Sequence, residues 1–278
     1  MTLQLSGITE ELPQLYRELN GRVIDIMPLL VSGKDKKGNM VDVPRTPVSF
    51  GYVLERRETA PEDVVRKEWQ NNYVFTGDLV ATGIEGDILS VWDSPLLRSL
   101  TSESKLNNGA LILSSAQWDE LKAQKEGTLY LTAEQAVQVN QQGFVKQEGI
   151  WTPHNKEVAK VWEHLGRGRD LVSYAQIVGD ATSSRNIMNI YLDASTRQLP
   201  TGRAWVADRV DGNSFAYGGN VLNYGDARLV GVAPEAHVAR EKILEARVTA
   251  ALEAGQEFEF RGRLYVPVAD SVASRLRR

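Results

Sequence analysis

Two periods of hydrophobic alternation run along this chain, and the change from one to the other marks its predicted elements. Behind Thr9, the stripe Leu12, Leu15, Tyr16 and Leu19 falls at i, i+3, i+4 and i+7 and predicts a short helix over 8–20. Extended segments are expected next: a strand in VIDIMPLLVSG, a basic turn in GKDKKGN, then MVDVP and VSFGYVLERR, placed near a sheet edge by Pro44 and Pro47. PEDVVRKEWQ reads as a polar helix with Pro61 in its first turn. YVFTGDLVATG and DILSVWD, joined through Ile84-Glu85-Gly86, read as a β-hairpin.

Ser, Asn and Gly gather in 99–110, which is read as a linker. A second series of elements follows it. ALILSS and TLYLT are expected strands, SSAQWDELKAQ and TAEQAVQVNQQG are helices with Ser and Thr caps, and GFVKQEGIWTP is a hairpin. Two helical segments then flank Gly166-Arg167-Gly168-Arg169, with apolar faces at Val158, Val161, Trp162, Leu165 and at Leu171, Tyr174, Ala175, Val178. IMNIYLD, GRAWVADRV and NVLNYGDARLVGVA hold further strands. A long helix is expected from Pro234 to Gly255 with Val238, Ile243, Leu244, Val248 and Leu252 as its stripe, then a hairpin in EFEFRGRLYVPV and a short basic end at Arg275, Arg277 and Arg278. Helix, Phe-led strand, Gly and Pro recur in 132–153 and 249–267, a faint internal echo.

These elements predict an α+β protein, β-rich in its N-terminal half, with a helical hairpin and a long C-terminal helix packed on a mixed sheet. The expected division is a β-rich subdomain over 1–103 and an α+β subdomain over 104–278. At 278 residues the chain can bury a substantial core. A net charge of −4 argues against wholesale electrostatic capture of nucleic acid or anionic lipid, while leaving room for a local basic patch. The absence of cysteine removes disulfides, thiolate metal sites and thiol nucleophiles. No stretch reaches the roughly 20 apolar residues of a membrane span, and the first residues lack the basic start and apolar run of a signal peptide. A cytoplasmic location and no membrane partner are therefore expected.

Candidate chemistry concentrates between His164 and Pro234, where the chain uses neither Lys nor Glu. The bases there are Arg167, Arg169, Arg185, Arg197, Arg203, Arg209 and Arg228, and the acids are Asp170, Asp180, Asp193, Asp208, Asp211 and Asp226. Solvated helix faces favour Glu and Lys, whereas Arg offers a planar five-donor fork and Asp suits turns and metals. Arg167, Arg169, Arg197, Arg203 and Arg209 are expected to grip a phosphate-bearing partner, with Trp205, Tyr217 and Tyr224 stacking or packing at the edge. Nucleic acid is the partner this reading favours. Asp208 and Asp211, in Asp-x-x-Asp-Gly-Asn, are the candidate metal ligands, although the closing Glu of a calcium loop is missing. No cofactor is expected beyond such a divalent metal. Asp78, Glu85, Asp87 and Asp93 make a second acidic group on the first hairpin.

The three histidines, His154, His164 and His237, have no zinc-ligand spacing, and neither a nucleophile elbow nor a phosphate or dinucleotide loop is present. Two other readings stand beside nucleic-acid binding. One is a structural assembly protein of a particle or tail, homo-oligomeric, with the Arg–Asp window as an interface. The other is a metal-dependent phosphoryl-transfer enzyme or nuclease.

Overall fold

The computed structural model describes residues 16–60 and 63–233, together with the strand backbones of 258–260 and 263–265. The chain forms two compact units, Met1–Ala233 and Pro234–Arg278. The first unit is α+β, as the sequence predicts. Among its described residues it has eight helices, an 11-stranded mixed sheet and a three-stranded sheet.

The spine of the large sheet is β1 (Tyr16–Gly21), β14 (Ala227–Val232), β3 (Val74–Thr82), β12 (Thr201–Ala207), β13 (Ala216–Tyr217) and β11 (Ile190–Tyr191). Strands β3 and β12 are its centre and are buried at every residue. They pair antiparallel from Thr82 opposite Thr201 to Val74 opposite Ala207, with a register shift between Ala204 and Val206. The expected hairpin of β3 with β4 (Ile88–Val91) is present, and β4 passes on to β7 (Thr128–Leu131). β6 (Ala110–Ile112) pairs with β12 at Thr201 and Gly202. Strands from both sides of residues 103 and 104 thus share this sheet.

Three expectations in the first 60 residues need correction. Residues 16–20 of the predicted first helix belong to strand β1, which is paired along its whole length with β14; residues 8–15 lie outside the described residues. VIDIMPLLVSG is a helix, α1 (Val23–Ser32), not a strand. Val23, Ile26, Met27 and Leu30 fall at i, i+3, i+4 and i+7 and are all buried. A short continuous apolar run fits either period, and here burial of one face overrides the β-branched composition and the missing amide of Pro28. Gly33 ends the helix at φ 68°, and its N–H donates to the Leu29 carbonyl at 3.1 Å.

VSFGYVLERR is likewise helical over α2 (Phe50–Thr59), where Ser49 Oγ accepts from the Tyr52 N–H at 3.1 Å. Its buried face is Phe50, Val53, Leu54 and Arg57, so an arginine fills the fourth core position. The N-terminal part therefore holds more helix than its composition suggests. The polar helix is found as α3 (Asp63–Asn71).

The second series of elements follows the sequence reading more closely. Both α5 (Ser115–Ala123) and α6 (Ala133–Val139), which flank β7 after the short α4 (Pro95–Arg98), open with complete capping boxes, Ser114 with Gln117 and Thr132 with Gln135. The small sheet holds the predicted hairpin, β8 (Phe144–Gln147) with β9 (Ile150–Pro153), joined by β10 (Asn186–Ile187). The helical hairpin is α7 (Lys156–Leu165) and α8 (Val172–Ala181). IMNIYLD does not form one strand. It divides at Met188, a non-glycine residue with φ 54°, so that β10 joins the small sheet and β11 the large one.

In the second unit, β15 (Phe258–Phe260) and β16 (Arg263–Tyr265) form the predicted antiparallel hairpin. The internal echo differs in register: Phe144 lies opposite Pro153, whereas Phe258 lies opposite Tyr265. The predicted long helix of 234–255 and the basic end lie outside the described residues.

Candidate functional site

Most of the window arginines are engaged by carboxylates of the same chain. Arg203 Nη1 reaches Asp193 Oδ2 at 2.6 Å, and Arg197 Nη2 reaches Asp193 Oδ1 at 3.0 Å. Arg197 also donates through Nη2 to the Asp193 carbonyl at 2.9 Å, through Nε to the Ser195 carbonyl at 3.0 Å, and to the Thr201 hydroxyl. Burial opposes ionisation of Asp193, but the Ser195 hydroxyl, the charges of Arg197 and Arg203 and the Arg203 hydrogen bond outweigh it. They hold the carboxyl below its usual range. The 193–197 loop is thereby tied to the end of β12. Thr82 Oγ1 donates to the Asp193 carbonyl at 2.8 Å, and the Arg197 N–H donates to the Ile84 carbonyl at 3.1 Å, so the β3–β4 turn is tied to the same loop.

Arg167 is held at φ 57° in the turn between α7 and α8. Its Nη2 lies 3.1 Å from Asp78 Oδ1 and 2.9 Å from Asp93 Oδ2, and its guanidinium covers the Trp92 ring at 5.1 Å. Asp78 is fully buried and also accepts from the Phe50 and Asp93 N–H groups at 2.7 and 2.9 Å. Burial raises its carboxyl above the usual range against those three donors. The acids read from the first hairpin thus include an arginine clamp. Arg169 pairs with Glu55 and Glu58 of α2.

The aromatic residues separate into two kinds. Trp205 is 1% exposed, its indole N–H donates to Ser90 Oγ at 2.9 Å, and Phe50 meets it edge-on. It packs in the core and offers no face to a ligand. Tyr217 and Tyr224 are 37% and 47% exposed. Tyr217 stacks on Tyr191, centroids 5.2 Å apart, and Phe215 meets Tyr191 edge-on at 5.1 Å. Because β13 pairs with β11 in parallel, Tyr217 lies directly opposite Tyr191 at the end of the sheet path. The sequence shows Tyr191 only as part of a strand; its stacking on Tyr217 is not legible there because the β11–β13 pairing is two residues long.

Arg209 is exposed, with Asp211 3.6 Å away and equally open to solvent. Burial raises the Asp208 carboxyl, opposed by the Arg209 N–H and the charges of Arg57 and Arg209. Among the described residues no group of three or more His, Cys, Asp or Glu side chains is placed to hold a metal. Asp208 and Asp211 therefore form no multidentate site with other such residues there.

Backbone hydrogen bonds fix the segments around the tyrosine stack. The Gly218 N–H donates to the Tyr191 carbonyl and the Leu222 N–H to the Gly109 carbonyl, both at 2.7 Å, and the Tyr73 hydroxyl donates to the Asp226 carbonyl. Gly86 packs against 194–195.

No protein-family model matches this chain, and no curated protein matches it. One solved structure, described as "Accommodation of massive sequence variation in Nanoarchaeota by the C-type lectin fold", is similar to 67% of this chain over 87% of its own length. The two are 16% identical, with a TM-score of 0.48.

Proposed function

We propose that this protein is a non-enzymatic recognition protein whose contact surface is Tyr217 with Tyr191, the 193–199 loop and the 218–225 loop. The observation that carries this reading is the exposed Tyr217 stacked on the half-buried Tyr191, beside a loop fixed by the Arg–Asp ties. A stacked tyrosine offers a large amphipathic face with few rotamers left to freeze on binding. The adjoining segment 213–225 is rich in Asn, Ser, Gly and Tyr, the mixture used by surfaces that bind through adaptable hydrogen bonds around rigid aromatic anchors. In this reading Asp193, Arg197 and Arg203 shape the surface and do not contact the partner. The favoured partner is another protein surface, a second copy of this chain included.

Photo-crosslinking tests it, with a benzophenone side chain at position 217 and a control at Lys125. Adducts confined to position 217 support the reading. Equal yields at both positions overturn it. Light scattering of the uncrosslinked protein separates a second copy from a foreign partner.

A nucleic-acid partner is favoured by one further observation. Arg185 and Arg209 are both exposed, and their segments meet where Thr182 Oγ1 contacts Asn213 Oδ1 at 2.8 Å. With Tyr217 they would supply two phosphate contacts and a stacking face. Oligonucleotide titration at low and high salt tests this. Binding that falls steeply with salt, and less steeply in an Arg185→Ser/Arg209→Ser variant, supports it. No binding at low salt removes it.

A further inference from the structure

Helix α1 and the turn that follows it border an open cleft of about 490 Å³, apart from the surface just described. One side is the helix face carrying Asp25, Pro28 and Leu29; the other is the 34–38 turn, with Thr101 and Ser102 beside it. The volume lies within the roughly 300–1,000 Å³ typical of small-molecule sites. Its apolar lining comes from Ile24, Pro28 and Leu29.

The charges in this cleft do not cancel. Asp25 receives both Arg22 Nε at 2.7 Å and Arg22 Nη2 at 3.1 Å, so that pair closes on itself. Asp35 serves its own turn, accepting the Lys37 and Asn39 N–H groups at 2.8 and 2.9 Å and the Asn39 side-chain amide at 3.1 Å. Lys34 and Lys36 line the same cleft, are exposed, and form no ion pair among the described residues. Asp35 keeps its negative charge, because its donors are neutral amides, so Arg22, Lys34 and Lys36 against Asp25 and Asp35 leave the lining with a net positive charge beside its apolar residues.

The turn that carries them is fixed. The Asp35 N–H donates to the Asn39 carbonyl at 2.9 Å, Lys34 bridges to Met40, and the Gly33 carbonyl accepts from the Val41 and Asp42 N–H groups, both at 3.0 Å. A lysine rooted in a stiff turn loses less freedom on binding than one on a mobile loop.

We propose that this cleft binds a small organic anion: a phosphate or carboxylate held by Lys34 and Lys36, with its apolar body against Pro28 and Leu29. Ammonium groups bind either anion as point charges, and the apolar wall distinguishes an organic anion from an inorganic one.

The test is heteronuclear NMR on the full chain, following the backbone amides of Lys34, Lys36 and Gly38. The probes are phenyl phosphate, benzoate and inorganic phosphate. Saturable shifts with phenyl phosphate or benzoate, weaker with inorganic phosphate, are expected, and the tighter of the two organic probes identifies the head group. Replacing both lysines, Lys34→Ala with Lys36→Ala, is expected to weaken that probe at least about tenfold through loss of two charge-assisted contacts. Both positions are exposed, so the fold is retained. Linear shifts without saturation, equal response to phenyl and inorganic phosphate, or unchanged affinity in the double variant would each overturn the proposal.

Discussion

The imidazole of His164 lies nearly parallel to the Trp92 indole, centroids 5.0 Å apart, and the indole N–H donates to the His164 carbonyl at 2.9 Å. The ring is largely buried beside Arg167, and its Nε2 has no hydrogen-bond partner. The C-terminal end of a helix ordinarily favours a cation, and His164 lies in the last turn of α7. Here burial, reinforced by the Arg167 charge and only partly opposed by the Ser90 backbone, lowers its pKa to about 4.

That shift sets a pH dependence. The unfolded chain binds a proton near pH 6.5 and the folded chain only near 4, so stability is fully present above 6.5 and is lost as pH falls through that window. The contribution is on the order of 3 kcal/mol. Urea melts between pH 4 and 7 should show a decline of this size, flattened in His164→Gln. An equal decline in the variant would assign it to other groups.

Arg57 is fully buried and donates to the Trp69, Asn72 and Ala207 carbonyls at 2.9, 2.9 and 3.3 Å, to the Tyr174 hydroxyl at 3.0 Å and to Ser214 Oγ at 3.2 Å. Its planar fork ties α2 to α3, α8, β12 and the 208–214 loop. A lysine cannot reproduce five fixed donors. Both Arg57→Lys and Arg57→Met are therefore expected to lose roughly 3 kcal/mol or more, since each strands several buried acceptors. Chemical denaturation of the pair measures this; a lysine variant within experimental error of wild type would show that charge alone suffices.

Gly179 stands inside α8, where alanine is ordinarily better by about 1 kcal/mol. A Cβ there would lie 2.3 Å from Trp151 Nε1 and 2.5 Å from Trp151 Cε2. The indole is 4% exposed and has little room to retreat. Overpacking of about 1–3 kcal/mol outweighs the propensity gain, so Gly179→Ala should lower the melting temperature. A rise would mean that the indole moves aside without strain.

Arg203 and Tyr217 separate framework from contact. Arg203→Met leaves Asp193 with fewer donors, so amide exchange across 193–199 should quicken and stability should drop by about 1–2 kcal/mol. Tyr217→Ala should change stability by less than about 1 kcal/mol while costing about 2 kcal/mol of partner affinity. If both substitutions affect binding and stability equally, the division between shaping and contacting residues does not hold.

The sequence was readable where local chemistry and tertiary structure agree. Ser114 and Thr132 announce their helices through capping boxes, and the β3–β4 hairpin follows from its turn and apolar runs. It misled where burial overrides local preference. In α1 a β-branched run forms a helix around Pro28, and in α2 a buried arginine occupies an apolar slot, which breaks the stripe for any reading that counts Arg as polar. The Arg/Asp window was visible as composition. Which arginines lie inward was not, because Asp78 and Arg167 are 89 residues apart and meet only through the fold.

Strands β1 and β14 also decide how the first unit bears load. They run antiparallel with Tyr16 opposite Val232, so the chain enters and leaves this ladder at the same end. Tension applied through those two points would fall on one rung at a time, from Tyr16–Val232 toward Gly21–Ala227, never on the whole ladder in shear. The seam between β1 and β14 is thus loaded in the unzipping direction, while the β3–β12 pairing lies at the centre of the sheet, away from those two points.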